Sequence, residues 1–283
     1  MLAPVKVFKG GGTYAALYQV GAAVQFGTAS EVLQAIEAAR PLVGASYRAA
    51  LDKLALVVGD SRPRWPVFVE ANAKLPFWTF SSLPGASCPG AGDCLTWCYS
   101  FKSWRNPDAW GRQAQNAALL RTEAGRARIR SELLRVADLG AFGADFVLRL
   151  YVDGDFGSVG DVGFWMAALQ EVPTCQAYGY SKSFAELLAY DARGIGWPDN
   201  FVLNGSSGHK HGADMIEAVR GLACYRGEFS ALKVPRGANS AQVREAAGGR
   251  AFVCPGKCGD CTPKGHACGS MRFRSVPIVI AIH

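Results

Sequence analysis

Seven of the nine cysteines in this sequence fall into two short groups with the spacing of metal ligands. The upstream group consists of Cys88, Cys94 and Cys98. The downstream group consists of Cys254, Cys258, Cys261 and Cys268. Four thiolates close a tetrahedral site, whereas three leave one coordination position open for a substrate or cofactor. Because thiolates bind both zinc and iron–sulfur clusters, the residue types alone do not separate these two metals.

The loops around the two groups support metal binding. The downstream cysteines lie in a segment rich in glycine and lysine, with too few apolar residues to fold without a ligand. The upstream cysteines lie in a Gly/Pro-rich loop, where the alternative is three buried apolar thiols. Two arrangements remain open: one site per group, or two loops that meet and place four of the seven thiols on one cluster. Cys175 and Cys224 are predicted to be core residues.

Polar residues follow the strongest predicted strands. Asp153, Gly154 and Asp155 come directly after the strand predicted over Phe146–Val152. Asp155 is a candidate acceptor for a ligand ammonium group, and the alternative is an aspartate of a turn or helix start. Lys182 follows the next strand. It is a candidate to bind the phosphate or carboxylate of a ligand, and the alternative is an ordinary surface lysine. A polar loop with His209 and His211 ends the fourth strand and is a weaker metal candidate.

The helix after the upstream cysteines carries a second set of candidates. Arg112 and Asn116 are four residues apart and therefore share a helix face, from which they would reach a carboxylate or phosphate. A solvated basic face explains them equally well. Aromatic and basic side chains alternate at the start of the segment 97–135, which is typical of single-stranded nucleic-acid binding. Packing of the loop over a metal site is the alternative.

Hydrophobic periodicity predicts the elements that position these residues. Helices are expected over Ser30–Arg40 and Ser46–Leu56, so that residues 1–65 form a helical amino-terminal extension. Beyond the breaker at Arg62–Pro66, strands alternate with helices through residues 66–283, which indicates a parallel α/β sheet. That length is short for a complete eight-stranded barrel, so we predict a partial (β/α) barrel or an open parallel sheet. Functional residues should then lie at the carboxyl ends of the strands.

Composition narrows the class of protein. The chain has 283 residues, of which 49% are hydrophobic and 19% are charged, so it can bury a sizeable core. Its net charge of +7 permits an anionic partner without identifying one. No apolar run is long enough to span a membrane, and the first residues lack the apolar core of a signal peptide. We therefore expect a cytoplasmic protein, and its odd number of cysteines favours metal or redox chemistry over a disulfide framework.

Several of these blocks together resemble the phage "gene product 88" family, which occurs in phages, bacteria and archaea and has no assigned reaction. The resemblance covers roughly residues 74–283. It is carried by Arg112, Asn116, the terminal cysteines and the segments KLPFWTFSSLPGASCPGAGDCLTWCYS, RLYVDGDFGS and AYGYSKS.

More distantly, the layout is similar to that of radical S-adenosylmethionine enzymes. Those enzymes place three cluster-binding cysteines after the first barrel strand, with an aromatic residue beside the last one, as Trp97 and Tyr99 flank Cys98 here. Their usual spacing is x3 then x2, whereas this chain has x5 then x3. Their second strand ends in a polar motif that holds the cofactor, in the position of Asp153-Gly154-Asp155.

The resemblance implies an enzyme with a three-cysteine 4Fe–4S cluster whose open iron binds S-adenosylmethionine. Asp153 and Asp155 would be the catalytic residues. The implied cofactor-binding residues are Gly154, Asp155, Tyr99, Arg112, Asn116 and Lys182. The downstream cysteines would bind a second cluster or zinc, and the substrate would be a nucleic acid or a small metabolite. The alternative function is a non-catalytic, metal-stapled protein that binds nucleic acid in phage or plasmid replication.

Overall fold

The computed structural model describes residues 12–70, 72, 75–85, 87–139, 145–259, 261–262 and 266–282. In this part of the chain, seven parallel strands form a single sheet that is open as a half-barrel. The α/β fold with a partial barrel is therefore as predicted. The first residues, on which the expectation of no signal peptide depends, lie outside the described residues.

The sheet and its helices alternate along the chain after an amino-terminal run of helices. The helices are α1 (Gly12–Phe26), α2 (Ala29–Ala39), α3 (Ala45–Asp60), α4 (Pro107–Leu120), α5 (Glu123–Leu139), α6 (Val159–Gln170), α7 (Phe184–Asp191), α8 (Ala213–Arg220) and α9 (Ser240–Ala246). The strands are β1 (Trp78–Thr79), β2 (Phe146–Leu150), β3 (Cys175–Ser181), β4 (Phe201–Ser206), β5 (Tyr225–Lys233), β6 (Phe252–Val253) and β7 (Ile278–Ile282). The spatial order is β1-β2-β3-β4-β5-β7-β6.

The two faces of the sheet are covered by different parts of the chain. Leu148 and Leu150 of β2 are fully buried in a core that the crossover helices share, with Trp165 of α6 near its centre. Side chains alternate along a strand, so Val147 points to the opposite face, which we call the inner face. The downstream cysteine segment packs on this inner face, where Cys268 is buried against Tyr178.

The amino-terminal helices do not stand apart from the rest. Both expected helices are present, and the sequence pattern did not predict α1 before them. Leu17 of α1, Ile36 of α2 and Leu51 of α3 are fully buried in one core with Trp110 of α4. This layer therefore packs directly on the helix that follows the upstream cysteines.

The sequence pattern also predicts a capping box of Ser183 and Glu186 and a helix in two pieces around Gly125; the first does not form, and the second breaks a few residues earlier. Ser183 precedes α7, but its side chain makes no capping hydrogen bond, and its Oγ and Glu186 Oε2 have no partner. The backbone of Ser183 has ψ 52°, outside the extended conformation that aims a capping side chain at the helix, so the expected capping box does not form. The break between α4 and α5 lies at Thr122 rather than at Gly125, and the Thr122 hydroxyl accepts from the Gly125 amide at 3.0 Å.

In the described ranges, no helix combines the length and apolarity needed to cross a membrane. The longest, α5, has 17 residues and is rich in arginine.

Candidate metal sites

The upstream cysteine loop crosses the carboxyl edge of the sheet from β1 to the end of β4. The amides of Gly92 and Cys94 both donate to the Gly208 carbonyl, at 3.0 and 3.1 Å, and the Lys210 amide donates to Gly90 at 3.1 Å. Ala91 and His209 form an antiparallel bridge between the same two loops. The loop is thus held at both ends, over the strand termini where parallel sheets place their sites.

Two glycines allow this close contact. A Cβ at Gly90 would lie 1.6 Å from the carbonyl oxygen of Lys182, a distance no side chain can occupy. Gly208 has φ +76°, and a Cβ there would lie 2.8 Å from the Cβ of Cys94. Glycine is therefore required at both positions for the loop to lie where it does.

The three upstream thiols share one electrostatic environment. Burial raises the pKa of all three, well above the usual value for Cys88, and Cys98 adds to the increase at both Cys88 and Cys94. The Lys182 ammonium acts in the opposite direction on each of them. Lys182, a candidate anion-binding residue from the sequence, thus acts electrostatically on all three upstream thiols.

Asp155 joins the ends of β2 and β3. Its Oδ1 accepts from the Ser181 hydroxyl at 2.7 Å and from the Phe156 amide at 2.8 Å, while Oδ2 accepts from the Lys182 amide at 2.7 Å. The side chain is buried, and burial raises its pKa against the effect of these hydrogen bonds. The cap of α6 is Ser158 instead, so Asp155 is not the helix-capping aspartate that the sequence offered as its alternative.

Asp153 and Gly154 lie on the side of the edge nearer to α4. Asp153 Oδ2 accepts from the Gln113 amide at 3.0 Å, and burial raises the pKa of Asp153, although hydrogen bonds from Ser100 and Ser81 oppose this. Gly154 has φ +81°, and a Cβ there would lie 3.0 Å from the backbone of Ser82. Gly154 therefore permits a close approach of two chain segments rather than an opening toward a ligand.

The remaining predicted site residues divide into two kinds. Lys182 Nζ donates to Ser206 Oγ at 3.0 Å, and the Tyr99 hydroxyl donates to the Val152 carbonyl at 2.5 Å, so both belong to this edge. Asn116 is fully buried and donates to the carbonyls of Val67 and Ser81. Asn116 thus ties chain segments together and does not face the thiols.

Arg112 is half-buried and, within the described ranges, makes no hydrogen bond or ion pair. Burial lowers its pKa, and Asp153 and Asp108 raise it in part. A guanidinium in this state retains its full capacity to bind a carboxylate.

The segment 97–135 is less like a nucleic-acid surface than its composition indicates. Trp104 and Trp110 are buried in the amino-terminal core, whereas Trp97 and Tyr99 are 37% and 53% exposed. Several arginines are already paired, as Arg126 is with Asp161 at 2.8 Å. Arg130 pairs with Glu171, and Arg135 pairs with Glu132.

The downstream cysteines form a second group on the inner face. Burial raises the pKa of Cys254, with contributions from Cys258 and Cys261, and Cys254 in turn adds to the increase at Cys268. The Gly256 amide donates to Cys254 Sγ at 3.4 Å and the Ala267 amide to Cys261 Sγ at 3.3 Å. Backbone amides directed at sulfur are the hydrogen bonds that a thiolate ligand needs.

A buried polar network fixes this group to the sheet. Asn204 of β4 donates to the carbonyls of Cys268 at 2.8 Å and Gly179 at 3.1 Å, and it accepts from Arg226 Nε at 2.6 Å. Arg226 is fully buried and also donates to the carbonyls of Phe273 and Val276. The sequence analysis missed both residues, although an arginine inside a strand was a visible signal.

Among the residues that the structure describes, no three Cys, His, Asp or Glu side chains are placed to hold a single metal ion. A polynuclear cluster differs from a single ion in this respect, because its inorganic core lies between its thiolates and keeps them further apart. Cys175 and Cys224, predicted to be core residues, are buried and lie in the outer core.

Comparison with known proteins gives one match. The model of the family described as gene product 88 matches residues 59–274, which include both cysteine groups and all the strands except β7. No curated protein and no solved structure matches the chain.

Proposed function

This chain belongs to the gene product 88 family, a phage gene-product family, and from its two cysteine groups we propose that it is an iron–sulfur enzyme of the radical S-adenosylmethionine type. Cys88, Cys94 and Cys98 are the proposed ligands of a 4Fe–4S cluster with one open position. The downstream cysteines are proposed to bind a second metal centre, either zinc or another cluster, that maintains the fold of the inner face.

One observation carries this proposal. The loop that carries the three thiols lies over the carboxyl edge of a parallel half-barrel: Gly90 lies against the Lys182 carbonyl, Cys94 lies against Gly208, and Asp155 accepts the Lys182 amide. Catalytic groups in parallel α/β folds lie at this edge, where the loops after the strands meet. The cysteine loop is tied to β4 on the far side of that edge, which supports a preformed site rather than three unrelated thiols.

When bound, a cluster held by three thiolates supplies an iron that can take an external ligand and transfer an electron to it. The residues of this chain prepare the surroundings. Lys182 offsets part of the negative charge of the thiolates, and its own position is fixed by Ser206 and by the Asp155 carboxylate. Asp155 therefore acts as a positioning residue for Lys182, and the three hydrogen bonds it accepts occupy most of its lone pairs.

The proposed S-adenosylmethionine site lies between the cysteine loop and the Asp153–Asp155 turn. Arg112 is unpaired and lies near Asp153, so its guanidinium is suited to the carboxylate of an amino-acid group. Asp153 and Cys98 both act electrostatically on Tyr99, so Tyr99 lies on the same side of the proposed site. Asn116 is not part of this proposal, because both of its donor hydrogens are used on backbone carbonyls.

Anaerobic purification tests the metal proposal. We expect brown protein with about four irons per cluster and a visible band that bleaches on reduction. Alanine at Cys88, Cys94 or Cys98 should abolish the upstream cluster, whereas the matched control Cys175→Ala removes a buried thiol outside both groups and should leave the iron unchanged. Colourless wild-type protein with stoichiometric zinc would refute an iron–sulfur enzyme.

A titration tests the cofactor. S-adenosylmethionine should bind the wild-type protein with its cluster intact, and Arg112→Met should weaken binding roughly 10- to 100-fold, the effect of losing a charge-assisted hydrogen bond. The control is Arg128→Met, which removes an exposed arginine of α5. If S-adenosylmethionine does not bind the wild-type protein with its cluster intact, the radical mechanism is refuted and only a metal-binding function remains.

The second candidate is a nucleic-acid-binding protein stapled by metal. It is favoured by Trp97 and Tyr99, which are exposed, and by Lys102 and Arg105, which are exposed and unpaired in the described part of the chain. Stacking on an aromatic side chain is worth about 1–3 kcal/mol per base. The test uses metal-loaded protein that does not bind S-adenosylmethionine. If this protein binds single-stranded DNA and Trp97→Ala strongly weakens the DNA binding, the nucleic-acid-binding function replaces the proposed enzyme.

A further inference from the structure

Arg149 lies on the inner face of the sheet without an ion-pair partner among the described residues. In the described part of the chain its guanidinium makes no hydrogen bond and no ion pair, and its Nε is buried without a partner. Its charged group lies over the ring of Tyr180, 4.8 Å from the ring centre. A cation taken out of water without an anion is costly, so its presence here calls for a binding partner.

A second unsatisfied group lies beside it. Tyr178 is the residue of β3 that pairs with Arg149 of β2 in the parallel register, so both side chains point to the same face. The Tyr178 side chain is fully buried and its hydroxyl completes no hydrogen bond in the described part of the chain, although the Cys258 thiol lies close enough to act on it. Two donors with nothing to donate to therefore lie on adjacent strands, about 4.8 Å apart across the sheet.

Solvent reaches the surroundings of Arg149 from one side. Tyr99 is 53% exposed, and Arg149 is partly exposed although its Nε is buried. Tyr99 and Arg149 act on each other electrostatically, so the two side chains are neighbours. We call this partly exposed part of the inner face, beside Arg149 and Tyr178, the recess.

We propose that this recess binds the oxyanion of a small substrate, a carboxylate or a phosphate, through the Arg149 guanidinium and the Tyr178 hydroxyl. A guanidinium presents parallel N–H donors that match two oxygens of either group, and a tyrosine hydroxyl adds a third donor. The nearest carboxylate that acts on Arg149 is Asp153, which is not within ion-pairing distance, so the site has no internal anion to displace. The proposal goes beyond the metal chemistry and does not require that a cluster is bound.

Thermal unfolding of the full chain with added anions tests the site. Inorganic phosphate and malonate are titrated separately against chloride at equal ionic strength. We expect a saturable increase in Tm with at least one of them, phosphate indicating a phosphorylated substrate and malonate a carboxylate. Arg149→Met should weaken the apparent affinity roughly 10- to 100-fold, and Tyr178→Phe about 2- to 10-fold.

Controls separate binding from folding and from metal content. Arg128→Met removes an exposed, unpaired arginine and should keep the wild-type response. Without anion, Tyr178→Phe should be at least as stable as the wild type, because it loses only an unsatisfied hydroxyl. No saturable response in the wild type, or an unchanged affinity in both variants, would overturn the proposal.

One further outcome also overturns it. If Arg149→Met lowers the metal content of the downstream cysteines and the stability together, Arg149 balances the charge of those thiolates instead of binding a substrate. Iron and zinc are measured on the same samples, so the two proposals fail separately. Metal-free protein that responds to phosphate would refute the proposed iron–sulfur enzyme alone, and brown protein without an anion response would refute the oxyanion site alone.

Discussion

The Ser181 hydroxyl donates to the Asp155 carboxylate at 2.7 Å, so the residue that ends β3 is bonded to the turn that follows β2. The same carboxylate accepts the Lys182 amide, and the Ser181 oxygen accepts the Ser183 amide at 3.0 Å. The carboxyl ends of two neighbouring strands are therefore locked together by one buried acid. Lys182 is the cation that acts on the upstream thiols. The hydrogen bonds of Asp155 therefore also fix the position of the positive charge that offsets the negative charge of those thiols.

Asp155→Asn should destabilise the protein. Asparagine has one acceptor oxygen and one NH₂ group in place of the two carboxylate oxygens. In one orientation the NH₂ group faces the donors of Ser181 and Phe156, and in the other it faces the Lys182 amide. In either orientation at least one buried donor loses its acceptor. We expect the free energy of unfolding in urea to fall by about 1–3 kcal/mol. Asp138→Asn, at an exposed and unpaired aspartate of α5, should change it by less than about 0.5 kcal/mol. Equal effects of the two substitutions would contradict the role of Asp155.

Asp153 should make stability depend on pH. Burial raises its pKa above the usual 3.8, so the folded state binds the proton more tightly than the unfolded state. Its contribution to stability is therefore fully present below the unfolded pKa and is lost as the pH rises through the folded pKa. Each unit of increase is worth about 1.4 kcal/mol.

The measurement compares unfolding free energies of the wild type and Asp153→Asn from about pH 4 to about pH 7. The stability of the wild type relative to the variant should decrease as the pH rises. The slope is the quantity to read, since the substitution also alters the hydrogen bond from Gln113. A difference that stays constant across this range would rule out a raised pKa at Asp153.

Gly90→Ala should detach the cysteine loop from the end of β3. The new methyl group would lie 1.6 Å from the Lys182 carbonyl oxygen, and backbone cannot yield as a flexible side chain can. Overpacking of this kind costs about 1–3 kcal/mol. Limited proteolysis should cut the loop containing Cys94 faster in the variant. Gly59→Ala in α3 meets no atom within 4 Å and should be neutral or stabilising. A variant whose loop is as protected as the wild type would disprove the contact.

Asn204→Ala should release the downstream cysteine segment. It removes the acceptor of the fully buried Arg226 and the donor to the Cys268 carbonyl. We expect a loss of about 2–3 kcal/mol, because the buried Nε of Arg226 loses its acceptor while the other donors of Arg226 keep their backbone carbonyls. Protease sensitivity around Cys268 should increase with it. Asn239→Ala, at the cap of the exposed helix α9, loses only about 1 kcal/mol and is the matched control. A smaller effect at Asn204 than at Asn239 would refute this network.

The strand-and-helix order was predictable because it depends on local pattern. Phe146–Leu150 is a continuous apolar strand apart from Arg149, and such runs alternate with helical periodicity along most of the chain. The placement of the cysteine loop at the carboxyl edge followed from the general geometry of parallel sheets. β5 was not predicted, since a buried arginine and Gly227 interrupt its pattern, and its pairing with β4 shifts register at Leu203.

The partners of the polar side chains could not be predicted in the same way. Asn116 shares a helix face with Arg112, and yet it donates to Val67 and Ser81, which only the tertiary fold brings near. Two partners of Asp155, Ser181 and Lys182, are likewise distant in sequence, so the pattern could not show whether Asp155 binds a ligand or a neighbouring strand. Arg149 was missed because only the folded chain reveals that it has no partner.

The crossing of the cysteine loop from β1 to β4 also has a consequence for biosynthesis. A nascent chain exposes Cys88, Cys94 and Cys98 well before the ribosome has made Lys182 and Gly208, on which their loop rests. Until then, three thiols are available to any oxidant or stray metal without the contacts that separate and shield them. Loading of the proposed cluster would therefore follow translation of β4, and expression hosts that delay metal delivery should then yield more of the intact centre than hosts that supply it early.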